Sequence, residues 1–316
     1  DDPAEMSHRI AAAADRSGIG LTLLPVLYAQ GGFDGAPTEE GQRRYVCDLD
    51  TYSRIVETVY AQGDANSAGV APHSLRAVGP DALQIAIELA GEHPVHIHIA
   101  EQTREVEECL AWSGARPVEW LLQNAEVDGR WCFVHATHMT AAETRALAES
   151  GAVAGLCPMT EADLGDGIFP AEAFITAKGR IGIGSDSNVV VDGAEELRLL
   201  EFGQRLIHRK RNLLRLPGRA STGANLFELA VHGGAGAIGR EASGITVGSS
   251  ADIIVLDGAA PLLAEKSGDD VLDTFIFSGG RSLIRDVFVG GCAVVTEGRH
   301  EAEAEISMDF SRVMKR

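Results

Sequence analysis

The sequence predicts a parallel α/β barrel of the (β/α)8 type with a small β domain appended to it. Three observations favour this fold class. Short apolar runs alternate with helical patterns, polar residues follow the carboxyl ends of several runs, and the glycine-rich phosphate loop of an open doubly wound sheet does not occur. A chain of 316 residues, 45% of them hydrophobic, is long enough for one large or two modest domains.

Six apolar runs have the length and composition of buried parallel strands. They lie at residues 19–28, 67–75, 95–101, 131–137, 152–157 and 181–187. Helical patterns such as "PDALQIAIELAG" and "TAAETRALAESG" separate most of these runs, and the second pattern ends on a glycine C-cap signal. Repeated alternation of strand and helix indicates a parallel sheet, and we predict that residues 1–242 form the barrel domain.

The pattern changes after about residue 240. The stretches "GITVGSSADIIVLDG" and "VFVGGCAVVTEGRHEAE" are short β patterns interrupted by glycine, with no helical pattern of similar length between them. We therefore predict that residues 243–300 form part of a small β-sandwich domain and residues 301–316 a C-terminal helix or tail.

Charge and cysteine content exclude several classes of protein. A formal net charge of −19 and a pI near 4.9 disfavour nucleic acid or an anionic membrane surface as partner, because both attract clustered Lys and Arg. The five scattered cysteines lack CxxC spacing, so they predict neither a disulfide framework nor a cysteine-based zinc site, and a reducing cytoplasm is expected. Apolar runs as long as a membrane-spanning helix do not occur.

Four polar residues stand at or just past the carboxyl ends of predicted strands: His73, Glu101, His135 and Asp186. Each has an ordinary structural explanation, since a strand histidine is often a hydrogen-bonded core residue and Asp in a Gly/Ser-rich segment often forms a turn. Their shared position is more informative, because α/β barrels build their active sites at the carboxyl ends of the strands. The four together predict a functional cluster.

The donor types predict a divalent cation at this cluster. His98, His135 and Asp186 offer nitrogen and oxygen ligands on three strand ends, which suits zinc better than a thiolate site would. Such a cation lowers the pKa of a bound water to about 7, and Glu101 could take the proton and pass it to a leaving group. His96 shares a face with His98 but lies one pleat deeper, which favours packing or a supporting role.

Six motifs together resemble the amidohydrolase superfamily and, more narrowly, its N-formimino-L-glutamate deiminases of histidine degradation. They are "APHSLRAV", "HIHIAEQTREVEEC", "RWCFVHATHM", "TEADLGDGIFP", "GIGSDS" and "GSSADIIVLDG". The resemblance runs along nearly the whole chain. The last two motifs are typical of the superfamily as a whole, whereas "PHSLRA" with "HIHIAEQ" and "TEADLGDGIFP" is narrow.

The resemblance implies a role for each candidate site residue. His98 matches the metal ligand of the fifth strand, Glu101 the proton-shuttling glutamate, and His135 the sixth-strand histidine beside the reacting centre. Asp186 matches the eighth-strand metal ligand, which also accepts a proton. The catalytic residues would then be Glu101, His135 and Asp186, with His98 and Asp186 as ligands of one divalent ion, zinc first and iron or manganese as alternatives.

His73 and Arg76 match the substrate-binding "HSLR" pair of the family. A role for Arg76 is also expected on chemical grounds, because a guanidinium binds a carboxylate through two parallel hydrogen bonds and formiminoglutamate carries two carboxylates. The alternative for Arg76 is a salt bridge at the barrel rim. The resemblance further implies a homodimer that acts on a small molecule, in the cytoplasm that the cysteine content predicts.

The implied reaction is hydrolytic deimination of N-formimino-L-glutamate to N-formyl-L-glutamate and ammonia. Three alternatives remain open from the sequence. The chain could be another deaminase of the superfamily, acting on guanine or an aminoaromatic ring, or an imidazolonepropionase, which opens a ring without releasing ammonia. It could also be a catalytically inactive scaffold or carboxylate-binding protein.

One motif of the superfamily is missing. Its members take two further metal ligands from a His-x-His on the first strand, and this sequence has no such motif before residue 95. His96 and His98 could themselves be that pair, but two strand-like runs precede them and Glu101 follows at the fifth-strand spacing. The visible runs therefore match the third to eighth strands, and we expect the preceding part to be absent from the molecule or from this chain.

Overall fold

The computed structural model describes residues 2–62, 68–241 and 244–315. The described residues form ten strands: β1 (Val26–Leu27), β2 (Ala71–Pro72), β3 (Val95–Ile99), β4 (Trp131–His135), β5 (Val153–Leu156), β6 (Arg180–Ile183), β7 (Ile253–Leu256), β8 (Ile284–Val289), β9 (Cys292–Thr296) and β10 (Arg299–His300).

The same residues form twelve α-helices, most of which connect consecutive strands: α1 (Glu5–Ser17), α2 (Leu49–Gln62), α3 (Pro80–Ala90), α4 (Thr103–Ser113), α5 (Pro117–Asn124), α6 (Ala141–Ser150), α7 (Pro158–Leu164), α8 (Ala171–Thr176), α9 (Gly193–His208), α10 (Thr222–Ala237), α11 (Asp269–Thr274) and α12 (Glu303–Val313). None of these helices combines the length and apolar character needed to cross a bilayer.

The first six strands are parallel and adjacent in chain order, as predicted. Strands β3, β4, β5 and β6 form one sheet, and β1 pairs with β2. Single parallel bridges from Val70 to Val95 and from Ser74 to His98 connect the β2 segment to β3. Strands β1 and β2 are shorter than the apolar runs predicted at residues 19–28 and 67–75. Pro25 and Pro72 interrupt the hydrogen bonding between neighbouring strands, because proline has no N–H to donate. Residue 67, the predicted start of the second run, lies outside the described residues.

A separate four-stranded antiparallel sheet follows, in the order β10-β9-β8-β7. Between β7 and β8 the chain forms α11 and three short helical turns, which the sequence did not predict. Phe275, Ile276 and Leu283 of this segment are buried in the main core, and the Arg198 side chain of α9 donates to the carbonyl of Ile276. These contacts stabilise the two turns at residues 275–283. The predicted boundary at residues 242–243 lies outside the described residues, and the division into domains stays a prediction.

The main core lies between the parallel sheet and its helices. Val95, Ile97 and Ile99 of β3 are fully buried on one face of the strand, whereas His96 and His98 are on the other face and only partly buried. Trp131 and Phe133 of β4 extend the apolar layer. The alternation of side chains along β3 therefore separates the packing residues from the polar residues that the sequence singles out.

Helix α10 packs very closely against β6. A Cβ atom at Gly233 would lie 1.8 Å from the carbonyl oxygen of Ile181, whereas a Cβ atom at the neighbouring Gly234 would meet no atom within 4 Å. The absence of a side chain at Gly233 is thus what allows the helix backbone to approach the strand.

We predict that Gly233→Ala lowers the free energy of unfolding by about 1–3 kcal/mol, because the added methyl group must push α10 away from β6. Gly234→Ala on the same helix is the matched control and should be neutral or stabilising by up to about 1 kcal/mol, since alanine favours helices. Urea unfolding of both variants measures the difference. Equal stability of the two variants would contradict the predicted close approach.

Candidate active site

The four residues predicted for catalysis and metal binding meet at the carboxyl edge of the parallel sheet. His98 and Glu101 flank the end of β3, His135 is the last residue of β4, and Asp186 lies three residues beyond β6. In the register of the sheet Ile99 lies opposite His135, so β3 and β4 end at the same level. The structure brings the four side chains together, and their roles stay predictions.

These side chains face one another at a separation slightly too long for direct hydrogen bonds. His135 Nε2 lies 3.7 Å from Asp186 Oδ2 and 3.9 Å from Glu101 Oε1, and His98 Nε2 lies 3.9 Å from Asp186 Oδ1. Within the described structure His135 Nε2 is buried and has no hydrogen-bond partner. The arrangement suits a small third group held between these atoms.

The backbone is strained where three of the strands end. Ala100 has φ = 49°, His135 has φ = 69° and Asp186 has φ = 43°, values that residues other than glycine rarely adopt. Glu105 supports the first of these turns by accepting the N–H groups of Ala100 (3.0 Å) and Glu101 (3.1 Å). Strain of this kind persists only where the surroundings hold it, and it clusters at functional sites.

The surroundings shift the pKa values of His135 and Asp186 in opposite directions. Burial lowers the pKa of His135, but its bond to Glu161 and the charges of Glu101, Glu161 and Asp186 outweigh this effect, so the pKa is raised above the ordinary value. The pKa of Asp186 is lowered, chiefly because His98 favours the ionised carboxylate. An ionised carboxylate thus faces an imidazole that accepts a proton readily.

His98 is oriented as a metal ligand would be. Its Nδ1–H donates to the backbone carbonyl of His73 at 2.9 Å, which leaves the Nε2 lone pair facing Asp186. Such a bond on the second ring nitrogen is typical of metal-binding histidines. His98 and Asp186 therefore fit a divalent cation in donor type and orientation, although catalytic zinc sites generally have three protein ligands. At these strand ends no three donors of the described residues lie close enough together to share one ion.

His73 is held between two aromatic rings. Its ring centroid lies 4.8 Å from that of Tyr28 and 4.8 Å from that of His98, and its Nδ1 lies 3.0 Å from the hydroxyl of Ser74. Burial, with a further contribution from His98, lowers the pKa of His73 to about 3. The ring is therefore neutral at physiological pH and can serve as a hydrogen-bonding group.

Arg76 lies beside the proposed proton-transfer residue. Its Nη2 is 3.4 Å from Glu101 Oε2, and its Nε is 3.8 Å from Glu105 Oε2. The side chain is 32% exposed, so the guanidinium forms this ion pair and remains accessible from solvent. The structure thus contains the salt bridge considered from the sequence, in a position that is also compatible with substrate binding.

Three residues beside the cluster were missed by sequence reasoning: Tyr28, Glu105 and Glu161. Glu105 and Glu161 are almost fully buried, and each contacts a predicted site residue. A glutamate at a buried helical position is the one signal that could have revealed Glu105. Glu161 lies within the family motif "TEADLGDGIFP", but an acidic residue in such a segment is as easily solvated as functional, so the sequence did not single it out.

The glycine-rich, acidic composition of Thr160–Pro170 predicts a loop over the site, and this prediction is wrong for the first half of the segment. Residues 160–164 belong to α7, which begins at Pro158 directly after β5. Proline is favoured at a first helical position, and the Glu161 carboxylate accepts the N–H of Cys157 (2.9 Å) at the positively polarised end of the helix. The second half is a loop, in which Asp166 accepts a hydrogen bond from Gln102 at 3.0 Å.

The two remaining histidines of the quoted motifs have structural partners. His96 Nε2 donates to the carbonyl of Ala237 at 2.6 Å, a contact compatible with the predicted packing or supporting role. His138 Nε2 donates to the carbonyl of Asp166 at 2.7 Å, which fixes the loop after α7.

Residues 4–294 match the amidohydrolase family, and the chain belongs to this family. Over 99% of its length the chain is 52% identical to the formimidoylglutamate deiminase of Pseudomonas aeruginosa, of which it spans 70%. It resembles the solved structure of an amidohydrolase from Brucella melitensis with 50% identity and a TM-score of 0.93, covering 98% of this chain and 69% of that one.

A more distant solved structure is that of an adenosine deaminase from Xanthomonas campestris with bound zinc. The identity is 25% and the TM-score 0.79, over 95% of this chain and 67% of that one. Family membership and these neighbours confirm the predicted superfamily and fold class.

A buried carboxylate behind the cluster generates a prediction about pH. Glu196 of α9 accepts the N–H of Met159 at 2.8 Å through Oε2, while Oε1 is buried without a partner among the described residues. Burial raises the pKa of Glu196 to about 7. The folded protein therefore favours the protonated form, and the resulting stability is complete below the unfolded pKa and lost as the pH rises through 7.

We predict that Glu196→Gln becomes increasingly more stable than the unsubstituted protein between pH 5 and pH 8, by on the order of 1–3 kcal/mol at the upper end. The adjacent Glu195→Gln is the control, because Glu195 is 38% exposed and pairs with Arg198. Urea unfolding at several pH values provides the measurement. A difference that is constant with pH would show that Glu196 is ionised throughout.

Proposed function

We propose that this chain carries the active site of a hydrolase that converts N-formimino-L-glutamate to N-formyl-L-glutamate and ammonia in histidine degradation. One observation carries the proposal: Arg76, a carboxylate-binding group, lies 3.4 Å from Glu101, the candidate proton-transfer group. A substrate with a carboxylate at one end and a reactive carbon–nitrogen bond at the other fits this juxtaposition. The 52% identity to a formimidoylglutamate deiminase supports the same substrate.

The substrate end of the site would be formed by Arg76 and His73. Arg76 binds a carboxylate of the glutamate moiety through its guanidinium, and the neutral ring of His73 adds a hydrogen bond. Because Arg76 contacts Glu101, the bound substrate directs its formimino carbon toward Glu101 and His135. Arg76 thus determines which molecules place a reactive carbon at the cluster.

Proton transfer would then follow at named atoms. Water adds to the formimino carbon, and Glu101 takes a proton from this water at Oε1. Glu101 delivers this proton to the imino nitrogen, which becomes the amine of a tetrahedral intermediate. The hydroxyl of the intermediate then gives up its proton, through Asp186, to the amine nitrogen as the carbon–nitrogen bond breaks, so the nitrogen leaves as ammonia and the carbon becomes a formyl group. His135 Nε2 and Asp186 Oδ2, 3.7 Å apart, orient the attacking water and stabilise the developing charge.

His98 and Asp186 are the residues that would hold a divalent cation. Zinc is the first candidate and iron and manganese are alternatives, and the zinc in the solved adenosine deaminase supports this choice. When bound, the cation would supply Lewis-acid activation of the water. The proposal places the enzyme in the cytoplasm as a homodimer, and the five free cysteines agree with a reducing compartment.

The alternatives from the sequence are less favoured. A deaminase of guanine or an aminoaromatic ring would need side chains that read a ring edge, whereas the group beside Glu101 is a guanidinium. An imidazolonepropionase or an inactive scaffold would release no ammonia. Product analysis therefore separates all of them.

We expect the purified full-length protein, loaded with zinc, to release one ammonia per N-formimino-L-glutamate consumed. Removal of the metal with a chelator should abolish this activity, and zinc should restore it, because activation of the water depends on the cation. Ammonia is measured enzymatically, and N-formyl-L-glutamate by mass spectrometry. Guanine serves as the control substrate, and failure to release ammonia from formiminoglutamate would refute the proposed function.

For Arg76→Met we predict a decrease of about 10- to 100-fold in kcat/KM for N-formimino-L-glutamate, mostly through KM, because a charged hydrogen bond is lost. Turnover of formamidine, which has the reacting group but no carboxylate, should be unchanged. Arg145→Met, on the exposed face of α6, is the matched control. An equal loss with both substrates would assign Arg76 a structural role instead.

A further inference from the structure

Glu161 has no part in the reaction proposed above, yet its carboxylate is one of the most completely buried in the described chain. The residue is 4% exposed, and its Oε1 accepts the N–H of Cys157 at 2.9 Å. The same oxygen lies 3.3 Å from Nδ1 of His135. One carboxylate oxygen therefore connects the start of α7 to the imidazole at the end of β4.

This contact determines which nitrogen of His135 carries the proton. The Glu161 oxygen already accepts the N–H of Cys157, so it is an acceptor toward Nδ1 as well, and the neutral ring is then the Nδ1–H tautomer with a lone pair at Nε2. Nε2 is the atom that faces Glu101 and Asp186 and has no hydrogen-bond partner in the described structure. The bond at one nitrogen therefore leaves the other nitrogen free at the reacting centre.

The ring also needs an external anchor. His135 has the left-handed backbone value of φ = 69°, and its side chain is 1% exposed. The only other charged groups that its nitrogens approach within the described residues are Glu101 and Asp186, at 3.9 and 3.7 Å. Because both distances exceed hydrogen-bond range, Glu161 provides the one direct bond to the ring.

We infer that Glu161 is a positioning residue that holds His135 through Nδ1 and thereby sets its tautomer and orientation for the reaction. The inference rests on the proposed function for its effect on catalysis, whereas the effect on the tautomer is independent of it. Helix α7 makes the anchor rigid, since its first turn, begun by Pro158, fixes the backbone from which the carboxylate extends. Glu161 of the motif "TEADLGDGIFP" thus has a chemical role, the positioning of His135.

Two substitutions separate the hydrogen bond from the charge. Glu161→Leu removes the acceptor for both N–H groups and should lower kcat by roughly 10- to 100-fold with little change in KM, as is usual for residues that orient an active-site group. Glu161→Gln retains an oxygen that can accept from Cys157 and His135, and it should restore most of the lost kcat. This rescue distinguishes ring orientation from general electrostatics.

Glu196→Gln is the matched control. Glu196 is also a buried glutamate that accepts an N–H group at the start of α7, from Met159, but it forms no bond to His135. Its substitution removes a comparable carboxylate from the same helix end. It should therefore leave kcat and the state of His135 unchanged.

The tautomer is read directly by long-range ¹H–¹⁵N NMR of protein labelled at histidine, at a pH high enough for the His135 ring to be neutral. The His135 signals are assigned by their loss in His135→Gln. We expect Nδ1–H in the unsubstituted, Glu161→Gln and Glu196→Gln proteins, and a shift of the proton or a mixture of tautomers in Glu161→Leu. If Glu161→Leu does not fold, Glu161→Asp replaces it, because the shorter side chain withdraws the carboxylate while keeping its charge.

Unchanged His135 signals in the variant that removes or withdraws the carboxylate would overturn the inference. So would an equal loss of kcat in that variant and in Glu196→Gln. If the unsubstituted protein does not release ammonia, the proposed function fails, and the NMR comparison alone then decides whether Glu161 sets the tautomer.

Discussion

The parallel register of β3 to β6 is the constraint on which the site depends. Hydrogen bonding in register makes the four strands end at one edge, and Ile99 pairs with His135 just as Leu156 pairs with Ile183. Residues far apart in the sequence therefore meet without any long loop to bring them together. The hydrogen-bonded sheet also holds the residues with positive φ at the strand ends. In a flexible loop their backbone could return to a more favourable conformation.

A second layer of carboxylates lies behind the residues that face the reacting centre. Glu105, Glu161 and Glu196 are each buried, and each accepts backbone N–H groups at a strand-to-helix turn. Burying a carboxylate costs free energy unless hydrogen bonds compensate for it, so these bonds make the turns and the carboxylates depend on each other. Two of the three also contact groups of the front layer, Arg76 and His135.

Charge has to be considered at two distances. The formal net charge of −19 would repel a substrate with two carboxylates at long range, but salt screens such fields over about 8 Å at physiological ionic strength. Binding of the proposed substrate would thus depend on local contacts. Arg76, which is paired with Glu101 and still partly exposed, is the cation placed to make them.

The sequence by itself determined the parallel α/β arrangement and the residues at the carboxyl edge. Both follow from local patterns: hydrophobic periodicity identifies the strands, and His98, His135 and Asp186 stand out as polar residues at the ends of apolar runs. The family resemblance came from motifs of the same kind.

The tertiary structure alone decided how these residues are supported. The bond from Glu161 to His135 joins two strand ends, and the burial of Phe275 and Ile276 against α9 and α10 turns a predicted β region into helical turns. Neither contact has a signal within a few residues of sequence, because the partners are adjacent only after the sheet has formed. The helix at residues 160–164 was missed for the same reason, since a buried glutamate at its first turn outweighs the acidic, glycine-rich composition that suggested a loop.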